Sequence, residues 1–153
     1  MLGLLFVMIL GIGVYLRANK KRTAFQKVYG TLTFINSTNK YFPNKDTAKY
    51  RYLKLDNFNK TFELFIGKES GDFKPKLEQI DRLEPGDSVT IFYDENYNTE
   101  GDSINRLAYF IDKGTEVIFI KGNGEKNLAI FLICISVIIF LILVKLRKLG
   151  KII

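Results

Sequence analysis

The stretch that decides the architecture reads KNLAIFLICISVIIFLILVK, from Lys126 to Lys145. Its two lysines bracket eighteen uncharged residues, Asn127–Val144. An α-helix rises ~1.5 Å per residue and the hydrocarbon layer is about 30 Å thick, so roughly 17–20 apolar residues make a crossing. This run meets that length, and Lys126 and Lys145 extend its reach by snorkelling their ammonium groups toward lipid headgroups. It has no polar face, so it predicts a transmembrane helix rather than a helix packed in a soluble core.

A second apolar run opens the chain. Met1–Leu16 (MLGLLFVMILGIGVYL) carries no charged side chain, and Arg17, Lys20, Lys21 and Arg22 follow it directly. A secretory signal wants positive charge before the run and an A-x-A-like cleavage site after it. Here only the amino terminus precedes the run and Ala18 stands alone, so we read an uncleaved membrane anchor. The expected layout is a transmembrane helix over 1–16, a basic linker over 17–26 and a β-rich soluble domain over 27–122. A transmembrane helix over 127–144 and a basic tail over 145–153 complete it. Two spans place both termini on one side and the middle on the other. The Arg17–Arg22 cluster draws the middle toward the cytoplasm, while Lys145, Arg147, Lys148 and Lys151 draw the tail there. The two pulls oppose each other, and long loops obey the charge rule weakly, so the side holding the domain stays open.

The chain of 153 residues has a formal charge of +7, which at first suggests a nucleic-acid partner. Its distribution argues otherwise. Eight basic residues lie in the two membrane-flanking clusters, and without them residues 23–144 hold 15 basic against 16 acidic side chains, a net charge of −1. The surplus belongs to the bilayer boundary, where each Lys or Arg near anionic lipid gains about 1 kcal/mol. Arg17, Lys20, Lys21, Arg22, Lys126, Lys145, Arg147 and Lys148 are the expected boundary residues, the bilayer is the expected partner, and no nucleic acid is expected.

The middle reads as strands. Lys27–Asn36 (KVYGTLTFIN) alternates, with Val28, Leu32 and Phe34 assigned to one face and Tyr29, Thr31, Thr33 and Ile35 to the other. Ala48–Leu55, Thr61–Ile66, Ser88–Tyr93, Leu107–Ile111 and Thr115–Lys121 are further runs rich in Phe, Tyr, Ile, Val and Thr, the residues that fit a pleated sheet. Pro85-Gly86-Asp87 and Asp112-Lys113-Gly114 supply turn chemistry between them. Lys76–Leu83 places Leu77, Ile80 and Leu83 three apart after Pro75, which predicts one or two helical turns. Six short strands and a helical turn in about a hundred residues predict a small antiparallel barrel or sandwich, oligonucleotide-binding-like or SH3-like, flanked by two transmembrane helices.

Chemistry-bearing motifs are sparse. The chain has no His, which removes serine-triad and His-ligated zinc chemistry, and its single Cys makes neither an intrachain disulfide nor a cysteine metal cluster. Asp94, Asn96 and Asn98 match the first liganding positions of a calcium loop, but Thr99 and Asn105 stand where its Gly and Glu belong. Asp81, Glu84 and Asp87 surround a turn as solvated charges do. No catalytic residue, cofactor or metal is expected. Most of the 17 Phe and Tyr side chains of the middle fall on strands and read as core, leaving Tyr41 and Phe42 in a polar loop as candidate contacts for a partner.

The segment Leu83–Asn96 (LEPGDSVTIFYDEN), anchored on Gly86, Asp87, Val89, Tyr93 and Asp94, resembles a "G-D-x-V-x-V-x-Y-D" strand. Such strands occur in small bacterial membrane proteins of uncharacterised function. Ile91 replaces the second Val, and Glu95-Asn96 stand where those proteins have Pro. The resemblance implies a β-rich domain beside one or two membrane helices in a bacterial envelope, and brings no catalytic residues. The expected function is a membrane-anchored binding or scaffold domain, or an envelope-assembly subunit joined to other membrane proteins or to its own copies. The alternatives are a carboxylate-dependent enzyme acting on lipid or cell-wall material, and a small oligomeric pore.

Overall fold

The computed structural model describes residues 2–40, 45–67, 77–95 and 101–150, and the chain divides into two units, Met1–Lys20 with Asn123–Ile153 and Lys21–Gly122. In the second unit the aromatic and β-branched runs pair as one sheet. Its strands are β1 (Gln26–Asn36), β2 (Tyr50–Leu55), β3 (Thr61–Phe65), β4 (Ser88–Tyr93), β5 (Ile104–Asn105), β6 (Ala108–Lys113) and β7 (Glu116–Ile120). They lie in the order β5-β3-β2-β1-β4-β6-β7.

β1 organises the whole arrangement. Its first six residues pair antiparallel with β4, from Gln26↔Tyr93 to Thr31↔Ser88, and its last part pairs antiparallel with β2, from Leu32↔Leu55 to Asn36↔Tyr52. β3 continues from β2, and β6 continues from β4. β5 lies parallel to β3 through Thr61↔Ile104 and Phe62↔Asn105. Since only Arg106 and Leu107 separate β5 from β6, the segment from Ile104 to Lys113 meets β3 at one end and β4 along the rest.

Both halves of the sheet bury their inner faces in one core. Leu53, Leu55, Phe62, Leu64 and Ile66 from one half meet Val89, Ile91, Tyr93, Ile111 and Phe119 from the other. The helical turn α2 (Leu77–Ile80) sends Ile80 into this core, followed by Leu83. Burying a side chain of this size contributes about 1.5–3 kcal/mol, so the core is the main source of cohesion. The turn into β4 holds Gly86 at φ 101°, and the β6–β7 turn holds Gly114 at φ 62°, backbone angles that cost other residues more.

The alternation in β1 differs from the sequence expectation. The register shifts between Leu32 and Phe34, so that Phe34 pairs with Lys54 while Ile35 pairs with Leu53. Ile35 therefore packs against the core and Phe34 faces outward, 38% exposed. A bulge inserts one residue, and with a side-chain period of two that exchanges the faces of everything beyond it. The helix at Leu77–Ile80 is the single turn of the one or two expected within Lys76–Leu83, of which Lys76 lies outside the described residues, and β5 is an unexpected strand too short to carry a pattern.

In the other unit, α1 (Leu2–Ala18, 17 residues) packs beside α3 (Gly124–Lys148, 25 residues). Gly11 lets the backbones approach: a Cβ there would sit 3.0 Å from Ile133 Cγ1 and 3.4 Å from the Ala129 carbonyl. Ala129 and Ser136 are buried on the facing side of α3, and Ser136 Oγ donates to the Leu132 carbonyl at 2.7 Å. Small residues at such a seam let the two backbones come into close van der Waals contact. Ten other α3 side chains, among them Leu128, Phe131 and Leu141, are exposed and apolar. Among the described residues α3 alone is long and apolar enough to cross a membrane, and α1 is a shorter apolar helix of about 25 Å.

Candidate functional site

The outer face of β1, β2 and β3 gathers side chains that the core does not use. Register sets them in rows: Asn36 beside Tyr52 beside Glu63, Phe34 beside Lys54 beside Thr61, and Tyr50 beside Phe65. Phe34 is exposed, and Tyr50 and Phe65 are half-buried with their rings edge-on at 5.3 Å between centroids. The middle row is closed off. Tyr52 is 0% exposed and Glu63 6%, although neither belongs to the apolar core cluster.

Two cations reach Glu63 from different places in the sequence. Lys45 Nζ donates to Glu63 Oε1 at 2.7 Å, and Arg106 Nε lies 3.4 Å from the same oxygen. Lys45 also stands over the Tyr50 ring at 4.4 Å, a cation–π contact. It heads a short strap, Lys45–Lys49, that is fixed to the sheet by its backbone. Ile66 N–H donates to the Lys49 carbonyl at 2.8 Å, and Arg51 donates to the Thr47 carbonyl at 2.7 Å. Glu63 Oε2 and the Tyr52 hydroxyl are both buried. Burial pushes the Tyr52 phenol up to about 12, and the charge of the neighbouring Glu63 carboxylate and a hydrogen bond to it add to the rise. Burial also draws the Lys54 ammonium below its usual range.

The opposite half of the sheet has its own aromatic cluster. Phe25 stacks on Tyr109 at 4.4 Å, with Phe92, Phe110 and Leu107 packed around them. Arg22, expected at the bilayer boundary, caps this cluster. It ion-pairs with Asp112 and its guanidinium lies 4.3 Å from the Phe92 ring centre and 5.0 Å from that of Phe110. Lys121 stands over Tyr109 at 4.6 Å.

The other boundary residues sit on the helices and beside them. Arg17, in the last turn of α1, lies 3.7 Å from Glu125 in the first turn of α3. Lys126 donates to Asn19 Oδ1 at 3.0 Å. Lys20 and Lys21 are exposed, and Lys145, Arg147 and Lys148 occupy the last turn of α3, where positive charge suits the helix dipole. Tyr41 and Phe42 lie outside the described residues, as do Asn96 and Asn98 of the calcium-like stretch.

The acids around the Pro-Gly turn have separate partners. Asp81 takes a two-pronged contact from Arg51 at 2.6 and 2.9 Å. Asp87 accepts from the Glu84 N–H at 3.1 Å and from Lys113 at 2.6 Å, and these bonds hold its carboxyl below the usual range. Among the described residues no three His, Cys, Asp or Glu side chains gather as metal ligands would. Lys45, Tyr52, Glu63 and Arg106 carry no signal as a set in the sequence. They meet only because strand register and two connections bring them together. Comparisons with family models, curated proteins and solved structures found no match to this chain.

Proposed function

We propose that the chain is a membrane-anchored binding or scaffold protein whose β domain docks a partner on the outer face of β1, β2 and β3. The observation carrying this reading is that face itself. Three aromatic rings, Phe34, Tyr50 and Phe65, lie around a buried Tyr52–Glu63 pair that stands outside the main apolar cluster. The pairings of β1 with β2 and β4, and of the Ile104–Lys113 segment with β3 and β4, support an oligonucleotide-binding-like barrel. In barrels of that kind strands 2 and 3 and their flanking loops form the ligand surface.

The anchoring half of the reading takes α3 and α1 as two spans of a bacterial cytoplasmic membrane. The length of α3, the exposed apolar side chains of both helices and the basic residues at their ends support it. Lipid is then one partner, and another membrane protein or a second copy is the other. The domain net charge of −1 speaks against nucleic acid, and the role is non-catalytic.

A photo-crosslinking residue at Phe34, activated in native membranes, tests the docking role. The expected result is a specific adduct that is lost when the crosslinker is moved to Tyr29, which is 65% exposed on the other half of the sheet. Recovery of nothing but uncrosslinked monomer from both positions would remove the reading. Topology has its own test: with Cys134 replaced by Ala, a single Cys at Ser37 is labelled in intact cells by an impermeant thiol reagent only if the domain faces outward.

A further inference from the structure

The outer face of β1, β4, β6 and β7 runs to the place where the chain enters and leaves this unit, at Lys21 and Gly122. Register sets Lys27 beside Phe92 beside Phe110 beside Ile120, one row across the four strands. Lys27 is exposed, and Phe92, Phe110 and Ile120 are half-buried. A helical turn at Arg22–Ala24 lays the Arg22 guanidinium over the Phe92 and Phe110 rings and pairs it with Asp112. Phe25 stacks on Tyr109, and the Lys121 N–H donates to the Tyr109 carbonyl at 2.8 Å. Entry and exit of the chain are therefore held together at Tyr109.

Charge and connection length identify what this end meets. It gathers Lys21, Arg22, Lys27 and Lys121 against Asp94 and Asp112, and Arg22 already answers Asp112. Residues 19–21 join α1 to the turn at Arg22, and residues 121–123 join β7 to α3. Each connection is four Cα steps, a reach of at most about 14 Å. With α1 and α3 as spans, both exits lie within that reach of the lipid phosphates. Half-buried rings under a cationic rim suit an anionic bilayer surface, where aromatic side chains sit at headgroup level and ammonium groups meet phosphate. We propose that this end of the β domain is a docking surface for anionic phospholipid, which holds the domain down on the bilayer. The proposal rests on the reading of α1 and α3 as spans and adds a peripheral lipid contact to it.

The chain has no Trp, so a single one reports its own surroundings. Tyr29→Trp puts it two residues from Lys27, at an exposed position in the row of Asp112, and Tyr50→Trp puts it on the other half of the sheet. Each variant of the full chain is placed in nanodiscs that carry a headgroup-nitroxide lipid, in phosphatidylcholine alone or with phosphatidylglycerol added. Quenching of the Tyr29→Trp emission is expected to rise with phosphatidylglycerol and to fall with salt, while Tyr50→Trp changes with neither. In the Tyr29→Trp chain, Lys27→Gln and Lys121→Gln should each lower the docked-to-undocked ratio about fivefold, the weight of one lysine beside anionic lipid. Lys54→Gln, on the other half, should leave it unchanged. Circular dichroism checks that each variant is folded. Equal quenching with and without phosphatidylglycerol overturns the proposal. So does a folded variant carrying both Lys27→Gln and Lys121→Gln that is quenched like its parent. Flotation with vesicles after a carbonate wash reads the spans separately. A chain that washes off refutes the spans and the docking surface together, whereas a retained chain without lipid-dependent quenching refutes the docking surface alone.

Discussion

Gly30 sits in the middle of β1, where the strand passes from one half of the sheet to the other, and its replacement by Ala is the sharpest test of that geometry. The turn after β2 folds back on this point. Asp56 Oδ1 accepts from the Thr31 N–H at 2.9 Å, the Asp56 N–H donates to the Thr31 carbonyl at 3.0 Å, and Asn57 Nδ2 donates to the Tyr29 carbonyl at 2.6 Å. A Cβ at Gly30 would stand 2.8 Å from Asp56 Oδ1 and 3.1 Å from Asn57 Cγ, with Asn57 Oδ1 closer still. The methyl cannot enter unless both side chains withdraw. Two hydrogen bonds at ~1 kcal/mol each are then lost, together with an overpacking strain of about 1 kcal/mol at its lower bound. The sum is about 3 kcal/mol. For a domain of about a hundred residues each kcal/mol lowers the melting temperature by ~4–8 °C, so a fall of roughly 12–24 °C is expected. The assay is thermal unfolding of the full chain in mild detergent, followed in the strand region of the circular dichroism spectrum. Asn57→Ala in the same chain removes the nearest obstacle, so the double variant should recover part of the loss relative to the sum of the singles. A Gly30→Ala variant as stable as wild type, or strictly additive with Asn57→Ala, would refute the close approach.

Three other outcomes are expected. In a spectrophotometric titration Tyr52 should ionise near pH 12; because its folded pKa is raised, its contribution to stability is complete below the ordinary tyrosine value of about 10 and is lost as pH climbs through 12, and Tyr52→Phe should flatten that slope. Asp87 behaves with the opposite sign: its carboxyl is depressed by Lys113 and the Glu84 N–H, so its contribution is present above the ordinary value of about 3.9 and disappears as pH falls through the lower folded value. Acid unfolding of Asp87→Asn should lack that component. Gly11→Leu should part α1 from α3, costing about 1–3 kcal/mol in the thermal loss of helical signal in detergent.

Periodicity carried the strands well where it ran uninterrupted. Ser88–Tyr93 alternates without a break, and its limits coincide with β4. The faces of β1 were legible only as far as Leu32, because nothing in the types Thr33, Phe34 and Ile35 announces a bulge; all three suit a strand on either face. β5 escaped for another reason. Two residues, Ile104 and Asn105, cannot display a period, and their pairing with β3 is non-local. The candidate site was illegible on the same ground. Tyr52 reads as one more strand aromatic and Glu63 as one position of the run Thr61–Ile66, and only the β2–β3 register makes them neighbours. Arg22 shows how charge arithmetic gives the region but not the partner: it lies at the end of a basic cluster, yet its guanidinium is taken up by Asp112 and two Phe rings.

The division of β1 between β4 and β2 also sets a timetable for synthesis. The strand leaves the ribosome directly after α1, but its first six residues find their partner only when β4 emerges, some sixty residues later. At about 5–20 residues per second that interval is roughly 3–12 s. Through it the emerging domain holds one half of its sheet, β1 with β2 and β3, and a row of Val28, Gly30 and Leu32 without a cover. The α3 helix is made after β6 and β7. Translation order therefore lets the sheet be completed before α3 is finished, and a pause placed after Lys121 would lengthen the time available to it.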